Sequence, residues 1–352
     1  MKLLMNLSMV GVRPTGLGVY SVACSRIVEK IRSVVISSRP LVSAEERISS
    51  PISIGIGGGK LAAIKRNIWL RRLRFDDEFL VYSPTHHGVP GHSNQIITIH
   101  DLISLRFPRQ HFLQYAYFKW FVPRLLRQCR AVFTVSETSK ADIVQAYGFP
   151  EGKIYVVPNS IDPARFSPLG TPPEPFLLMV GARFSHKNVS EVLLNHSAWS
   201  FRYRLIVTSC SGPYREELES LIASLDLTAC VEFLDYVDPD ELLSMYRRCS
   251  ALIYPSRWEG FGIPPLEVLA CGRPVIASDI PVHREVLGDA AIYVELGNTD
   301  SWILAIESLS RADLVRGKVE LGDERVRYYS AERSLAMLES SLKAVEPRLE
   351  LL

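Results

Sequence analysis

Short runs of valine, isoleucine, leucine and phenylalanine recur along this chain with longer stretches of helical spacing between them, and nothing else in the sequence restricts its fold as much. Runs this apolar suit strands buried on both faces, so the pattern predicts parallel sheets covered by helices on either side. A first series reads KLLMNLSMV, SVVIS, EFLVYS, QIITI, AVFTV and IYVV, and a second reads FLLMVG, RLIVT, VEFL, ALIYP, PVIA and AIYV. Between them the chain is proline-rich from Pro158 to Pro175, which suits a stiff exposed crossover rather than a helix or strand. With 352 residues the chain is also too long for one small core. The fold class expected is therefore α/β with two doubly wound domains, residues 1–169 and 170–328, and a ligand cleft between the carboxyl ends of both sheets. From Tyr329 the tail is helical, with Ser330 as cap and Leu335, Leu338, Leu342 and Val345 on one face. That spacing allows packing within the second domain or a return to the first, and we expect residues 329–352 to complete the first.

Charge and cysteine usage exclude several classes. Forty Lys plus Arg against 38 Asp plus Glu leave a formal charge of +2, too little for a bulk nucleic-acid-binding field. Cys24, Cys129, Cys210, Cys230, Cys249 and Cys271 form no CxxC pair and read as reduced core thiols of a cytoplasmic protein. The start, MKLLMNLSMVGVRPTG, reaches Arg13 and Pro14 without a small-residue cleavage site and reads as a first strand. No uncharged apolar run is long enough for a membrane-spanning helix, so any membrane contact is expected to be peripheral. Two stretches, 60–74 and 115–130, interleave arginine, leucine and aromatic residues without an acid. Such a composition suits a helix lying on an anionic membrane face, or an amphipathic helix with a solvated basic side. The first reading nominates Trp69, Arg71, Arg72 and Arg74 in one stretch and Trp120, Phe121, Arg124 and Arg127 in the other.

The segment ALIYPSRWEGFGIPPLEVLACGRPVIASD carries the most chemistry. A buried strand ends at Pro255, Glu259 follows, and Gly260, Phe261, Gly262 and Ile263 lead into a helix starting near Pro264 or Pro265. Free amides at such a junction favour phosphate or developing negative charge. Glu267 lies eight residues after Glu259, so the two carboxylates reach different parts of one extended ligand. Two glutamates alone match any solvated surface; the strand, glycine loop and PPLE helix around them make the pair a site. Arg183 and Lys187 follow the first strand of the second series, where a phosphate at a switch point would lie; a solvated helix start is the plain alternative. Gly16 and Gly18 fall between a strand and a helix and allow close backbone approach to a ligand. A dinucleotide site is disfavoured, because the third glycine of G-x-G-x-x-G would fall at Ser21 and no acid ends SVVIS. His100, with Asp101 beside it, sits at the carboxyl end of QIITI, whereas His86, His87 and His92 have no metal-ligand spacing with it. Asp238, Pro239 and Asp240 spell D-x-D, but a proline at the first helical position and Glu241 three residues after Asp238 mark a helix N-cap. IGIGGGK at 54–60 lacks the spacing of a P-loop and reads as a loop.

With these residues in place the chain resembles the retaining nucleotide-sugar glycosyltransferases of family 4, with Glu259 to Glu267 as the E-x7-E element. The likeness extends along nearly the whole chain, through PTGLGVYS at 14–21, HDLISLRFP at 100–108, FTVSETSKADI at 133–143, VVPNSID at 156–162, MVGARFSHKN at 179–188 and FLDYVDPDELLSMY at 233–246. It implies the GT-B fold, an acceptor-side first domain and a donor-binding second domain, with no obligatory metal and no cofactor. It implies Arg183 and Lys187 as a clamp on the donor diphosphate, His100 as a contact to the donor sugar, and Asp101 as a group orienting the loop or the acceptor. Gly16 and Gly18 would approach the donor, Tyr236 and Val237 its base, Glu267 its ribose, and Glu259 with the 260–263 amides the transferred sugar. IPVHREVLGDAAIYVE and HDLISLRFP are similar to mannosyltransferases using GDP-mannose, so transfer of mannose to a saccharide or lipid-linked saccharide is expected, with UDP-glucose as the alternative donor. A nucleotide-sugar epimerase and a donor-binding subunit without turnover are the rivals, the first disfavoured by E-x7-E and the Arg183/Lys187 pair, the second by the presence of every matched polar position. Ser160 and Ala331 depart from the family's usual glycine and aromatic residue and bear on the crossover and the tail.

Overall fold

The computed structural model describes residues 1–352 other than 12–15, 43, 45, 56–58, 60, 74 and 76–77. The chain divides into two units, residues 1–160 with 331–352, and residues 161–330. The change of unit precedes the boundary expected near residue 170. The reason is local: residues of the proline-rich stretch are clasped by the second unit, Ser167 through its carbonyl by Arg247 Nε at 2.9 Å and Thr171 through its carbonyl by Arg273 at 2.6 Å.

In the first unit the strands are β1 (Lys2–Asn6), β2 (Ser33–Ser37), β3 (Glu46–Ser49), β4 (Phe79–Ser83), β5 (Gln95–Ile99), β6 (Cys129–Thr134) and β7 (Ile154–Val156). They pair in the order β3-β2-β1-β4-β5-β6-β7, every pair parallel. Six of these strands are the apolar runs of the first series; β3 has no such run, because ERIS is polar and largely exposed at the sheet edge. In the second unit β8 (Phe176–Met179), β9 (Arg204–Thr208), β10 (Val231–Leu234), β11 (Ala251–Tyr254), β12 (Val275–Ser278) and β13 (Ile292–Val294) form a parallel sheet ordered β10-β9-β8-β11-β12-β13. Each sheet reverses its direction of growth once, between β1 and β4 and between β8 and β11. At such a point successive loops leave the strand ends in opposite directions and open a crevice for ligand.

The tail helix, Ala331–Val345, belongs to the first unit. Ser334 donates to the Pro158 carbonyl at 2.7 Å, Arg130 donates to Glu346 at 2.7 Å, and Leu351 bridges antiparallel to Ile31. Leu338 and Leu342 are buried there, as an apolar helix face requires. All six cysteines are free thiols. No helix among the described residues is long and apolar enough to cross a membrane.

Candidate active site

The switch point of the second sheet is built by two segments. After β8 the chain makes a short turn, Ser185–Lys187, that ends at Asn188 with φ 61°. Asparagine tolerates this left-handed geometry better than most residues. Lys187 is thereby turned toward the segment after β11, where its Nζ donates to Glu259 Oε1 at 2.5 Å and to the Tyr254 hydroxyl at 3.3 Å. Ser256 donates to the same carboxylate oxygen at 2.6 Å. Burial alone would raise the Glu259 carboxyl, but the Lys187 charge and hydrogen bond, with that of Ser256, hold it below its ordinary value. Burial likewise opposes the Lys187 charge, and Glu259 and Tyr254 reverse this and hold the ammonium above its ordinary value. The result is a fixed, buried ion pair at the place where the sheet offers a ligand crevice.

Gly262, with φ 90°, starts the helix Ile263–Ala270, and a Cβ there would lie 3.2 Å from the Tyr254 ring in a backbone geometry that L residues rarely adopt. Glu267, on that helix, accepts from the Tyr246 hydroxyl at 2.8 Å. Burial raises its carboxyl above the ordinary value and the Tyr246 hydrogen bond works against that rise. The two glutamates thus have opposite surroundings, one paired with a cation and one with a phenol. Phe261 is buried edge-on to Tyr329. Arg183 stays exposed beside the Phe184 ring, its guanidinium carbon 5.7 Å from the ring centre, and no hydrogen bond joins it to Lys187. Tyr236 and Val237 lie in the loop after β10, Tyr236 with an exposed ring and Val237 half-buried. Asp238 caps the following helix, accepting from the amides of Asp240 at 2.9 Å and Glu241 at 3.2 Å.

In the first unit, His100 follows β5 and donates from Nε2 to the Pro84 carbonyl at 3.1 Å, with Tyr20 edge-on at 4.5 Å. Burial lowers its pKa to about 4, so the ring is neutral near pH 7. Asp101 accepts from the Ile103 amide at 2.9 Å and so shapes its own loop. Gly16 and Gly18 do not lie in a loop ahead of the helix: both are in the helix Gly16–Ser25, Gly16 exposed and Gly18 buried. Pro14 and Thr15 of PTGLGVYS, and Arg13, lie outside the described residues, as do 56–58 and Lys60 of IGIGGGK; Ile52–Ile54, where that segment starts, is a helical turn.

Residues that the motifs did not single out complete the second-unit site. Tyr254, Ser256 and Tyr246 were hidden as ordinary members of a strand, a loop and a helix. Arg257 donates from Nε to Asn188 Oδ1 at 3.1 Å and from its backbone amide to the His186 carbonyl at 2.8 Å, tying the two segments together. The sequence signal for Tyr254, Ser256 and Arg257 was their place just ahead of Glu259, and for Tyr246 its place at the end of FLDYVDPDELLSMY. Among the described residues no three His, Cys, Asp or Glu side chains stand together as a metal site.

A model of "Glycosyltransferase Family 4" matches residues 62–165, and one of "Glycosyl transferases group 1" matches residues 161–320. The O-antigen chain mannosyltransferase RfbU of Salmonella typhimurium strain LT2 is 34% identical over 324 residues, 88% of this chain and 91% of that protein. The O-antigen chain mannosyltransferase B of Escherichia coli is 24% identical over 253 residues, 67% of this chain and 66% of that protein. Among solved structures, sucrose-phosphate synthase from Thermosynechococcus elongatus matches with a TM-score of 0.76 at 16% identity, over 98% of this chain and 99% of that one. WaaG, a glycosyltransferase involved in lipopolysaccharide biosynthesis, matches with a TM-score of 0.68 at 14% identity, over 98% and 99%. At these identities the structural likeness speaks to fold alone.

Proposed function

Because this chain belongs to the family 4, group 1 glycosyltransferases, we propose that it moves mannose from GDP-mannose, with retention, to a saccharide or lipid-linked saccharide during bacterial surface polysaccharide assembly. That it is a glycosyltransferase of GT-B fold follows from the family and from its two doubly wound sheets. The choice of mannose is supported by the 34% identity to an O-antigen mannosyltransferase along most of both chains.

The observation that carries the chemistry is the buried Lys187–Glu259 pair at the β8/β11 switch point. In transfer, the bond from the sugar's C1 to the diphosphate breaks and its electron pair leaves with the phosphate. An acceptor oxygen forms the new bond to C1, and its hydroxyl proton passes to the departing diphosphate oxygen on the same face of the sugar. Lys187, already held charged, and the exposed Arg183 are the groups that would meet the growing charge of the leaving group, so neutralisation needs no divalent ion. Glu259 with the 260–263 amides would hold the sugar. Glu267, oriented by Tyr246, would accept from the ribose hydroxyls, and Tyr236 with Val237 would face the base. His100, with Gly16 and Gly18, would approach the donor from the first unit, and Asp101 would keep the His100 loop in place. The reaction would take place in the cytoplasm, with the first unit resting on an anionic membrane face through its basic, apolar-tipped helices.

Incubation of the purified protein with a panel of nucleotide sugars, with and without EDTA, tests this reading. Slow hydrolysis of GDP-mannose that survives EDTA is expected. Preference for UDP-glucose would replace the donor, formation of a 2-epimer would replace the reaction, and binding without turnover would remove catalysis altogether.

A further inference from the structure

The first sheet has its own switch point, and a buried cation stands there that donor chemistry does not use. Arg66, in the helix Ala62–Arg72, is only 3% exposed. Among the described residues its one hydrogen bond runs from Nη1 to the Ile54 carbonyl at 2.6 Å, its Nε is buried without a partner, and no carboxylate pairs with it. Position is fixed from both sides of the crevice. Gly55, next to Ile54, packs on the segment after β1, its Cβ direction meeting the Val10 carbonyl at 3.3 Å. Asn6, at the end of β1, donates to the His87 carbonyl at 3.2 Å, which ties in the segment after β4. His86 and His87 are buried in that segment, and the Arg66 charge acts on both. Tyr117 donates to the His86 carbonyl at 3.3 Å, and its hydroxyl lies 3.1 Å from His87 Nδ1. The His86 ring makes no hydrogen bond among the described residues, and burial lowers its pKa to about 3, so it is a neutral imidazole with one N–H to give.

A guanidinium taken from water without a counter-ion is costly, and a fold gains nothing from it that an apolar side chain of the same shape would not supply. An anionic ligand removes that cost. We propose that Arg66 and His86 form an anion site for a phosphoryl or diphosphoryl group carried by the acceptor. This rests on the reading of the first unit as the acceptor side. The planar fork of Arg66 can hold two oxygens, and an imidazole N–H from a separate segment suits the third oxygen of a tetrahedral group better than a planar carboxylate.

The test uses the full chain with Arg183→Ala and the joint change Lys187→Met/Glu259→Gln, which removes the donor-side cations without stranding a buried charge. Calorimetric titration with pyrophosphate at constant ionic strength should show binding that weakens at least tenfold in Arg66→Met and measurably in Arg66→Lys. The ligand-free unfolding midpoint of Arg66→Met should equal or exceed that of its parent, since an uncompensated charge is lost. Equal pyrophosphate binding in Arg66→Lys and its parent, a lowered ligand-free midpoint in Arg66→Met, or acetate binding as tightly as pyrophosphate would each overturn the proposal. Donor hydrolysis by the unaltered chain reports on the transferase reading alone, so the failure of one is separable from the failure of the other.

Discussion

Lys187 and Glu259 stand 72 positions apart in the chain and 2.5 Å apart in the fold, with side chains 18% and 8% exposed. Removing one partner of such a pair leaves a buried charge, so Lys187→Ala should cost about 3–5 kcal/mol of stability as well as turnover. Turnover should fall by about 10² or more, the usual consequence of deleting one donor to a developing anion. The joint variant Lys187→Met/Glu259→Gln separates the two effects: chemical denaturation should show stability largely restored while turnover stays low, and wild-type turnover in Lys187→Ala would end the assignment. Glu267 calls for a different experiment. Glu267→Gln and Tyr246→Phe should both weaken nucleoside diphosphate binding, because Tyr246 orients the carboxylate at 2.8 Å, whereas Glu259→Gln should chiefly slow transfer. Nucleotide affinity lost with Glu259→Gln and kept with Glu267→Gln would reverse the two roles. Both glutamates and the lysine were legible as residue types in a motif. Their opposite protonation surroundings were not, since a phenol from a helix and a hydroxyl from a loop are placed by tertiary contact.

Among the elements, the basic stretches divided unevenly between core and surface. Trp69 packs against the core of the first unit and Phe121 stacks on Tyr117, so each presents only part of its ring to solvent. Arg74 lies outside the described residues. Trp120, nominated from the sequence, is exposed, and so are Ile64 and Ile68 on the helix Ala62–Arg72 and Phe112 and Leu113 on the segment that passes from the α-helix Phe112–Ala116 into a π-helical turn at Tyr117–Phe121. Arg71 and Arg124 meet in one cavity of about 420 Å³, which brings the two stretches onto a common face. Co-sedimentation with anionic vesicles at low salt should therefore fall with Leu113→Asp or with charge reversal at Arg71, Arg72 and Arg124, each basic residue contributing about 1 kcal/mol near the lipid. Sedimentation unchanged by both variants would make these solvated faces only. The segment after the tail helix supplies a pH test. Glu346 accepts from Arg348 and Arg130, and those bonds hold its carboxyl down to about 2 against an ordinary value of 4.5. A carboxyl depressed in the fold adds stability that is complete above the ordinary value and is lost as pH falls toward 2. The urea midpoint should drop over that window in the wild type, and the drop should be smaller in Glu346→Gln.

At the scale of the molecule, the order of the chain and the order of the units differ, because residues 331–352 return to the unit formed by 1–160. A chain ending at Ser330 would expose the surface that Leu338 and Leu342 cover and would lose the Arg130–Glu346 contact. Its first unit should unfold at lower temperature than in the full chain while the second keeps its own transition; calorimetry showing the first transition unmoved would mean the tail only rests on the surface. Two doubly wound sheets and the starts of most strands are legible in the order of residues, because burial on both faces forces apolar runs of strand length. The turns that bear Lys187 and Glu259 and the helix that bears Glu267 are legible in the same way, since a strand followed by a glycine turn and a proline-started helix is a local pattern. Which side chains meet is a matter of folding in space: the pairing of Lys187 with Glu259, the seclusion of Arg66, the inward turn of Trp69 and the side on which the tail docks. Each of these depends on contacts between segments far apart in the chain, and the free energy of a buried charge or an apolar face is set by its neighbours in space, of which a linear sequence names only the nearest.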